Sequence, residues 1–357
     1  MTDAIDENLE IARYKPFYIE LEKGRKYLWC GCGRSKSQPF CDGRHKGTDY
    51  RPVMYEAHSK NEEVLFCGCK HTKTPPFCDG EHNNLIDDYP SDDPNSPVNQ
   101  AIPEVARSDE PRTILNGGCY VFSSEKAELK VQENLKYCEI IGPSFGSIHQ
   151  SQFHFELDDG ISPVISFGER DVVLFISSGE AELNIAGKIF SADLHSGAFI
   201  KSGETFQLTA IGSTPLIFQA SVGPRATSPE WPESHGNYFD ETEPNRVVPL
   251  DPSQRNGMAN RYFQMLVDKS VGSNFVTQFI GHIPLSKAEP HRHLYEETLI
   301  ILTGEGCMWT DNLKTPVAAG DVIFLPRKQL HSLEAINKEG MLVVGTIYPG
   351  DNPAINY

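Results

Sequence analysis

Six cysteines and two histidines near the N-terminus have the types and spacing of metal ligands. They are Cys30, Cys32, Cys41 and His45, followed by Cys67, Cys69, Cys78 and His82. Each set offers three thiolates and one imidazole, a soft group suited to a tetrahedral zinc or to an iron–sulfur cluster, and chemistry alone leaves both open. The sets are copies of one another. A shift of 37 residues lays Cys30-Gly31-Cys32 on Cys67-Gly68-Cys69, and Pro39-Phe40-Cys41-Asp42-Gly43 on Pro76-Phe77-Cys78-Asp79-Gly80, with Ser35 facing Thr72. That is an internal repeat. A second donor group lies far downstream, where the two-residue period of an extended chain puts His291, His293 and Glu297 on one face.

The full N-terminal pattern, C-x-C-x2-[ST]-x3-P-x-C-D-G-x-H, resembles the CDGSH (mitoNEET-like) iron–sulfur family in its soluble form with two motifs per chain. The resemblance implies one [2Fe–2S] cluster on Cys30, Cys32, Cys41 and His45, and another on Cys67, Cys69, Cys78 and His82. Asp42-Gly43 and Asp79-Gly80 suit a tight turn into a short helix capped by the aspartate, with the histidine one turn on. A single His ligand raises a cluster's reduction potential above that of an all-Cys cluster. The chain departs from the family just before the histidine, where a small residue is usual and Arg44 and Glu81 stand instead. Opposite charges there predict two different potentials, with the Glu81 cluster the harder to reduce.

Downstream, His291-x-His293-x3-Glu297-x6-Gly304, then Gly320-x5-Pro326 and His331, resemble the two motifs of the cupin superfamily. Lys328 stands where the second motif often has glycine, and the first motif's opening glycine is replaced by Leu285. The resemblance implies a double-stranded β-helix in which His291, His293, Glu297 and His331 converge on one mononuclear divalent metal, iron or manganese. Such a site leaves positions open for water, dioxygen or substrate. Leu299 and Ile301 continue the inward face, and Tyr295 shares its parity unless a bulge turns it outward. The β-prone region upstream fits the same template poorly. Ser166 and Gly168 take the two His positions, Val172 the Glu position, Leu208 that of His331 and Gly203 that of Pro326, so this cupin reads as degenerate. His149, His154 and His195 lie off the template and read as surface or core histidines. Cys119, Cys138 and Cys307 read as buried free thiols.

The elements that must position these groups are mostly strands. Short β-prone runs punctuated by glycine begin near residue 113, after an acidic, proline-rich stretch without apolar periodicity. The expected fold class is mainly β: a tandem CDGSH domain over 1–82, a linker over 83–112, a degenerate cupin over 113–224, a second linker over 225–257 and a metal-binding cupin over 258–357. With 32 Lys+Arg against 49 Asp+Glu the net charge is −17, which argues against nucleic acid or an anionic membrane as a partner. The acidic, polar first residues and the lack of a long apolar run lead to the expectation of a soluble, cytoplasmic protein. Three readings follow. In the favoured one, a non-haem iron oxygenase or oxidase acts on a small molecule, with electrons passing from an external reductase through the clusters to the cupin metal. In the others, the clusters act as redox sensor or carrier with the cupins as scaffold, or the cupin is a redox-neutral manganese enzyme. Homodimerisation through the barrels is an expectation drawn from the superfamily.

Overall fold

Each Cys-Gly-Cys turn is entered from a short strand, Lys26–Trp29 in the first copy and Glu62–Phe66 in the second. In the computed structural model, which describes residues 9–85, 91–226, 228–258, 261–350 and 353, these strands pair across the copies. Phe17–Leu21, ahead of the first copy, runs antiparallel to Glu62–Phe66, while Val53–Glu56, ahead of the second, runs antiparallel to Lys26–Trp29. Neither copy closes a sheet alone, and a lone pair of strands is marginal in water. Interlocking them lets both cover one small core of Leu21, Trp29, Ala57, Val64 and Phe66, edged by Phe40, Tyr55 and Phe77. The compact unit so formed runs to Ala101 and also takes in Glu289–Leu294.

The second compact unit contains two β-sandwiches. In the first, a seven-stranded sheet and a three-stranded sheet enclose an all-apolar core that includes Phe153, Phe155, Phe167, Leu174, Phe206 and Phe218. In the second, an eight-stranded and a four-stranded sheet enclose Tyr295, Leu299, Ile301, Met308, Ile323, Leu333 and Ile347. Alternation along Glu296–Thr303 divides its side chains: Leu299 and Ile301 face the second barrel's interior, and Ile300 faces a separate cluster with Tyr120, Ile140, Phe175 and Phe324. That cluster joins the barrels. It is reinforced by the buried Glu296 carboxylate, which accepts the amides of Ile148 (2.7 Å), His149 (3.0 Å) and Gln150 (3.2 Å).

The strands do not respect the expected boundaries. Arg112–Ile114 and Tyr120–Ser123, placed by sequence at the head of the first barrel, extend the second barrel's large sheet through pairing with Asp321–Leu325. Conversely Val247–Val248, in the expected second linker, pairs with Gly197–Ile200 of the first. Apolar alternation identifies a strand but does not say which sheet edge it will complete. The rest of that linker is also structural, because buried Arg246 forks onto Glu204 at 2.6 and 2.8 Å and donates to the carbonyl of Asp240. Removing one partner of such a pair costs about 3–5 kcal/mol. The first linker likewise lies along the second barrel, with Glu104 bridged to Lys314 and the Val105 amide donating to the Lys314 carbonyl. Among the described residues no helix is long and apolar enough to cross a membrane.

Candidate metal centres

The two N-terminal copies agree bond by bond. Cys30 N donates to the Pro39 carbonyl and Cys41 N to Leu28; Cys67 N donates to Pro76 and Cys78 N to Leu65, all at 2.7–2.9 Å. The Ser/Thr of the motif has one job in both, since Ser35 Oγ and Thr72 Oγ1 each donate to the following Phe carbonyl, Phe40 or Phe77, at 2.6 Å. The aspartate is a clamp. Asp42 accepts the amides of Lys36 and Arg44, and Asp79 those of Lys73 and Glu81. The next glycine takes a left-handed backbone, φ 93° at Gly43 and 86° at Gly80, so only glycine turns here without strain. The expected helix after the aspartate is a single 3-10 stretch, Glu81–Leu85, in the second copy and plain turns in the first. The aspartate satisfies the turn amides itself, and no longer helix forms to carry a dipole.

The glycine inside each Cys-Gly-Cys is also required, by crowding. A Cβ on Gly31 would lie 2.6 Å from the Arg51 carbonyl oxygen, and one on Gly68 2.0 Å from that of Lys15. The donors come in pairs: Cys30 and Cys32 sulfurs 3.7 Å apart, Cys41 Sγ and His45 Nδ1 3.1 Å, Cys67 and Cys69 3.5 Å, Cys78 Sγ and His82 Nδ1 3.4 Å. Two ligands on one tetrahedral metal with bonds of about 2.0–2.3 Å stand about 3.3–3.8 Å apart, which the two Cys–Cys pairs and the Cys78–His82 pair match and the Cys41–His45 pair approaches. All nine cysteines are free thiols. In the second copy hydrogen bonds from Cys69 and the Lys70 amide draw the Cys67 thiol down while its partner Cys69 is pushed up by the same contact, and burial pushes Cys78 up to about 12. His82 falls to about 4, first because it is buried and then because the Arg292 cation acts on it.

In the C-terminal barrel the structure brings His291, His293 and His331 together, with one ring nitrogen from each lying within 4.8 Å of the others. His291 and His293 sit on an irregular segment ahead of Glu296–Thr303 rather than on a continuous strand, and His331 opens the strand His331–Ala335. His291 Nδ1 lies 2.7 Å from the Glu289 carbonyl and His331 Nδ1 2.9 Å from that of Gln329. A carbonyl only accepts, so Nδ1 carries the proton in both and Nε2 keeps its lone pair for a metal. Glu297 is 5% exposed, paired across strands with Leu325 and Ile347 and on the inward parity of Leu299, but it is not a member of the three-histidine group. Tyr295 is buried inward beside Leu299. Lys328 adopts φ 69°, the conformation a glycine at that motif position would supply. Thr277 shares the Glu297 row through Ile347 and lines a cavity of about 410 Å³ with Phe263, Met265 and Asn274.

The first barrel's template positions are filled by packing. Val172 and Leu208 belong to its core; His154 pairs with Glu156 at 3.0 Å, His149 stacks on Tyr348 and His195 on Phe175. Cys119 and Cys138 are buried and Cys307 half-buried, with burial pushing all three thiols well above their ordinary range. Two charged neighbours were missed by sequence reasoning, Lys70 and Arg292. Lys70 was detectable as the one place in the Cys-x-Cys-x turn where the repeat swaps Gly33 for a charge. Arg292 carried no signal, because it lies far away in sequence from Cys78 and His82, on which it acts.

Residues 5–46 match the family described as iron-binding zinc finger CDGSH type, and residues 283–347 match the cupin domain. The mouse CDGSH iron-sulfur domain-containing protein 3, mitochondrial, is 47% identical over 49 residues, 13% of this chain and 36% of that protein, so the chain spans about a third of that relative. Among solved structures, an oxalate decarboxylase formate complex from Lactobacillus farciminis is similar with TM-score 0.52 and 14% identity, covering 68% of this chain and 89% of that one. A putative glyoxylate induced protein from Pseudomonas aeruginosa has TM-score 0.52 and 17% identity over 70% of this chain and 96% of that one. At such identity the likeness concerns the fold alone. The paired thiols and imidazoles fit an iron–sulfur cluster and the three convergent imidazoles a mononuclear metal: this chain carries a CDGSH-type iron–sulfur domain at its N-terminus and a cupin domain in its C-terminal region.

Proposed function

We propose that the protein is a metal-dependent oxidoreductase holding two [2Fe–2S] clusters and one mononuclear iron in a single chain. The bond-by-bond agreement of the copies supports a second cluster on Cys67, Cys69, Cys78 and His82. The pairing of donors two by two favours a binuclear cluster over one zinc ion, which would need all four donors mutually close. When bound, the clusters would supply one-electron transfer and the cupin iron dioxygen chemistry. His291 and His331 would hold that iron through Nε2 and His293 through a ring nitrogen, with Glu297 completing the set. Leu299, Ile301 and Tyr295 keep the surroundings dry, which strengthens charge interactions at the metal.

One observation carries the redox reading: Glu289–Leu294, the segment that bears His291 and His293, belongs to the compact unit of the cluster motifs, and its Arg292 acts on Cys78 and His82. A small-molecule substrate, an external reductase and pairing of two chains through the barrels complete the proposal, with the cytoplasm as its location. The test is iron, manganese, zinc and acid-labile sulfide in anaerobically purified full-length protein. About five iron and about four sulfide per chain are expected, with about one iron lost in His291→Ala/His331→Ala. Dithionite reduction of the clusters should then quench the ferric signal of the cupin site; a ferric signal that persists beside reduced clusters would leave them a sensor or carrier. Manganese in the barrel would make the enzyme redox-neutral, and zinc without sulfide would end the cluster assignment.

A further inference from the structure

The two copies differ where they are packed most tightly. Gly33 and Lys70 occupy the same place in the repeat and share a left-handed backbone, φ 78° and 71°. A Cβ on Gly33 would lie 1.6 Å from the Glu10 carbonyl oxygen, so the first copy admits no side chain there. The second copy instead carries a lysine in a conformation that disfavours it, and buries it to 5% exposure. Its Nζ donates to the Cys67 carbonyl at 3.0 Å and stands 4.7 Å from the Trp29 ring centre and 5.5 Å from that of Phe17. Trp29 Nε1 donates to the same carbonyl at 3.0 Å, and the repeat replaces Trp29 by Phe66 in the second copy. Two positions that break the repeat therefore meet each other. The charges drawing on this ammonium come from both copies: Cys30 and Cys32 of the first, Cys67 and Cys69 of the second.

We propose that Lys70 is a positioning residue shared by the two cluster sites, a single buried cation that offsets the thiolate charge at the Cys-x-Cys end of each and raises both reduction potentials. The inference rests on the reading that both motifs carry a cluster. Each cluster gains one electron from an external one-electron reductant and with it one negative charge. A fixed cation in a dry surrounding favours that form. Because the same ammonium serves both sites, one substitution must lower both potentials. The rings of Trp29 and Phe17 hold the ammonium through their faces, which fixes its place with no ion-paired carboxylate among the described residues.

The experiment compares full-length wild type with Lys70→Met, which keeps bulk, Lys70→Gly, which restores the first copy's residue and relieves the backbone, and Lys70→Arg, which keeps charge. Iron and sulfide are counted first, and each potential is then read by anaerobic titration with electron paramagnetic resonance, in Cys41→Ser and Cys78→Ser backgrounds that leave one copy each. Both neutral variants should lower the reduced-to-oxidised ratio at fixed potential at least tenfold in both copies, or 59 mV for a one-electron couple, and Lys70→Arg should stay within threefold of wild type. Unchanged potentials, a shift in the second copy alone, or divergence of the Met and Gly variants would overturn the proposal. Loss of both clusters from both neutral variants with Lys70→Arg intact would support it, and loss from the second copy alone would sink the sharing. Fewer than two clusters in wild type would instead fail the functional reading beneath it.

Discussion

His45 is half-buried and His82 is 2% exposed, although each imidazole stands at the same step of the same motif, 3.1 and 3.4 Å from its cysteine sulfur. The cysteines follow suit, with Cys41 half-buried and Cys78 3% exposed. Backbone hydrogen bonds dictated by the motif are shared, so the motif sets which atoms can bind a metal. What it does not set is access. Around the second copy Arg292 acts on His82, and Lys70 is buried against Trp29 where the first copy has Gly33. The same ligand set is thus presented once to solvent and once to protein.

The largest effect expected of this difference is kinetic. With both motifs loaded as proposed, iron should leave the full-length protein under a strong chelator in two phases, the fast one at least tenfold quicker, because His45 is half-buried while His82 must be uncovered by local opening. Cys41→Ser should abolish the fast phase and Cys78→Ser the slow one, read from the decay of visible absorption. A single phase in wild type would show that burial of His82 does not govern access.

The next effect tests the packing that makes the copies unequal. Gly33→Ala forces a Cβ onto the Glu10 carbonyl and an unfavourable φ onto alanine, which together cost about 2–5 kcal/mol. The hydrogen bond from Glu10 N to the Cys32 carbonyl, 3.0 Å, should be lost with it. Lys70→Ala at the equivalent place meets no such wall and carries no new backbone strain. Thermal melts of the two variants should therefore separate, with Gly33→Ala the lower; equal melting temperatures would mean that the residues around Glu10 yield freely.

How far the sequence reaches is visible in these same residues. The ligand spacing, the turn glycines and the Ser/Thr-to-carbonyl bond all depend on neighbours within about ten positions, and a repeat exposes them by comparison alone. Leu299 and Ile301 facing inward follow from strand parity for the same local reason. Strand exchange is different. Nothing in Phe17–Leu21 says that it will pair with the second copy rather than the first, nor in Tyr120–Ser123 that it will join the later barrel. Glu297 is legible for the same local reason, since parity points it inward with Leu299, whereas His291 and His293 precede the regular strand, where parity does not reach. Lys70 and Arg292 are long-range partners whose importance depends on what surrounds them.

The smallest effect concerns the feature most conspicuous in the sequence. Arg44 and Glu81 stand beside the two histidines with opposite charges, and on that ground the second cluster was expected to be the harder to reduce. In the folded chain each charge is already answered: Arg44 pairs with Asp42 at 3.1 Å and Glu81 with Lys73 at 3.0 Å, and Arg44 and Lys73 are exposed. Exposed pairs are screened by salt and contribute at most about 1 kcal/mol. Less exposed charges act more strongly: half-buried Arg292 acts on Cys78 and His82 of the second site and would favour a reduced cluster there, whereas buried Lys70 draws on the thiols of both copies and so does not set their order. The sign of the expectation therefore reverses, with the second cluster the easier to reduce. The double variant Arg44→Ser/Glu81→Ser should change the ratio of the two clusters' reduced fractions less than threefold and leave their order intact. A reversal of order in that variant would mean that the charges next to the histidines outweigh Arg292, and that the difference between the copies was written in the motif after all.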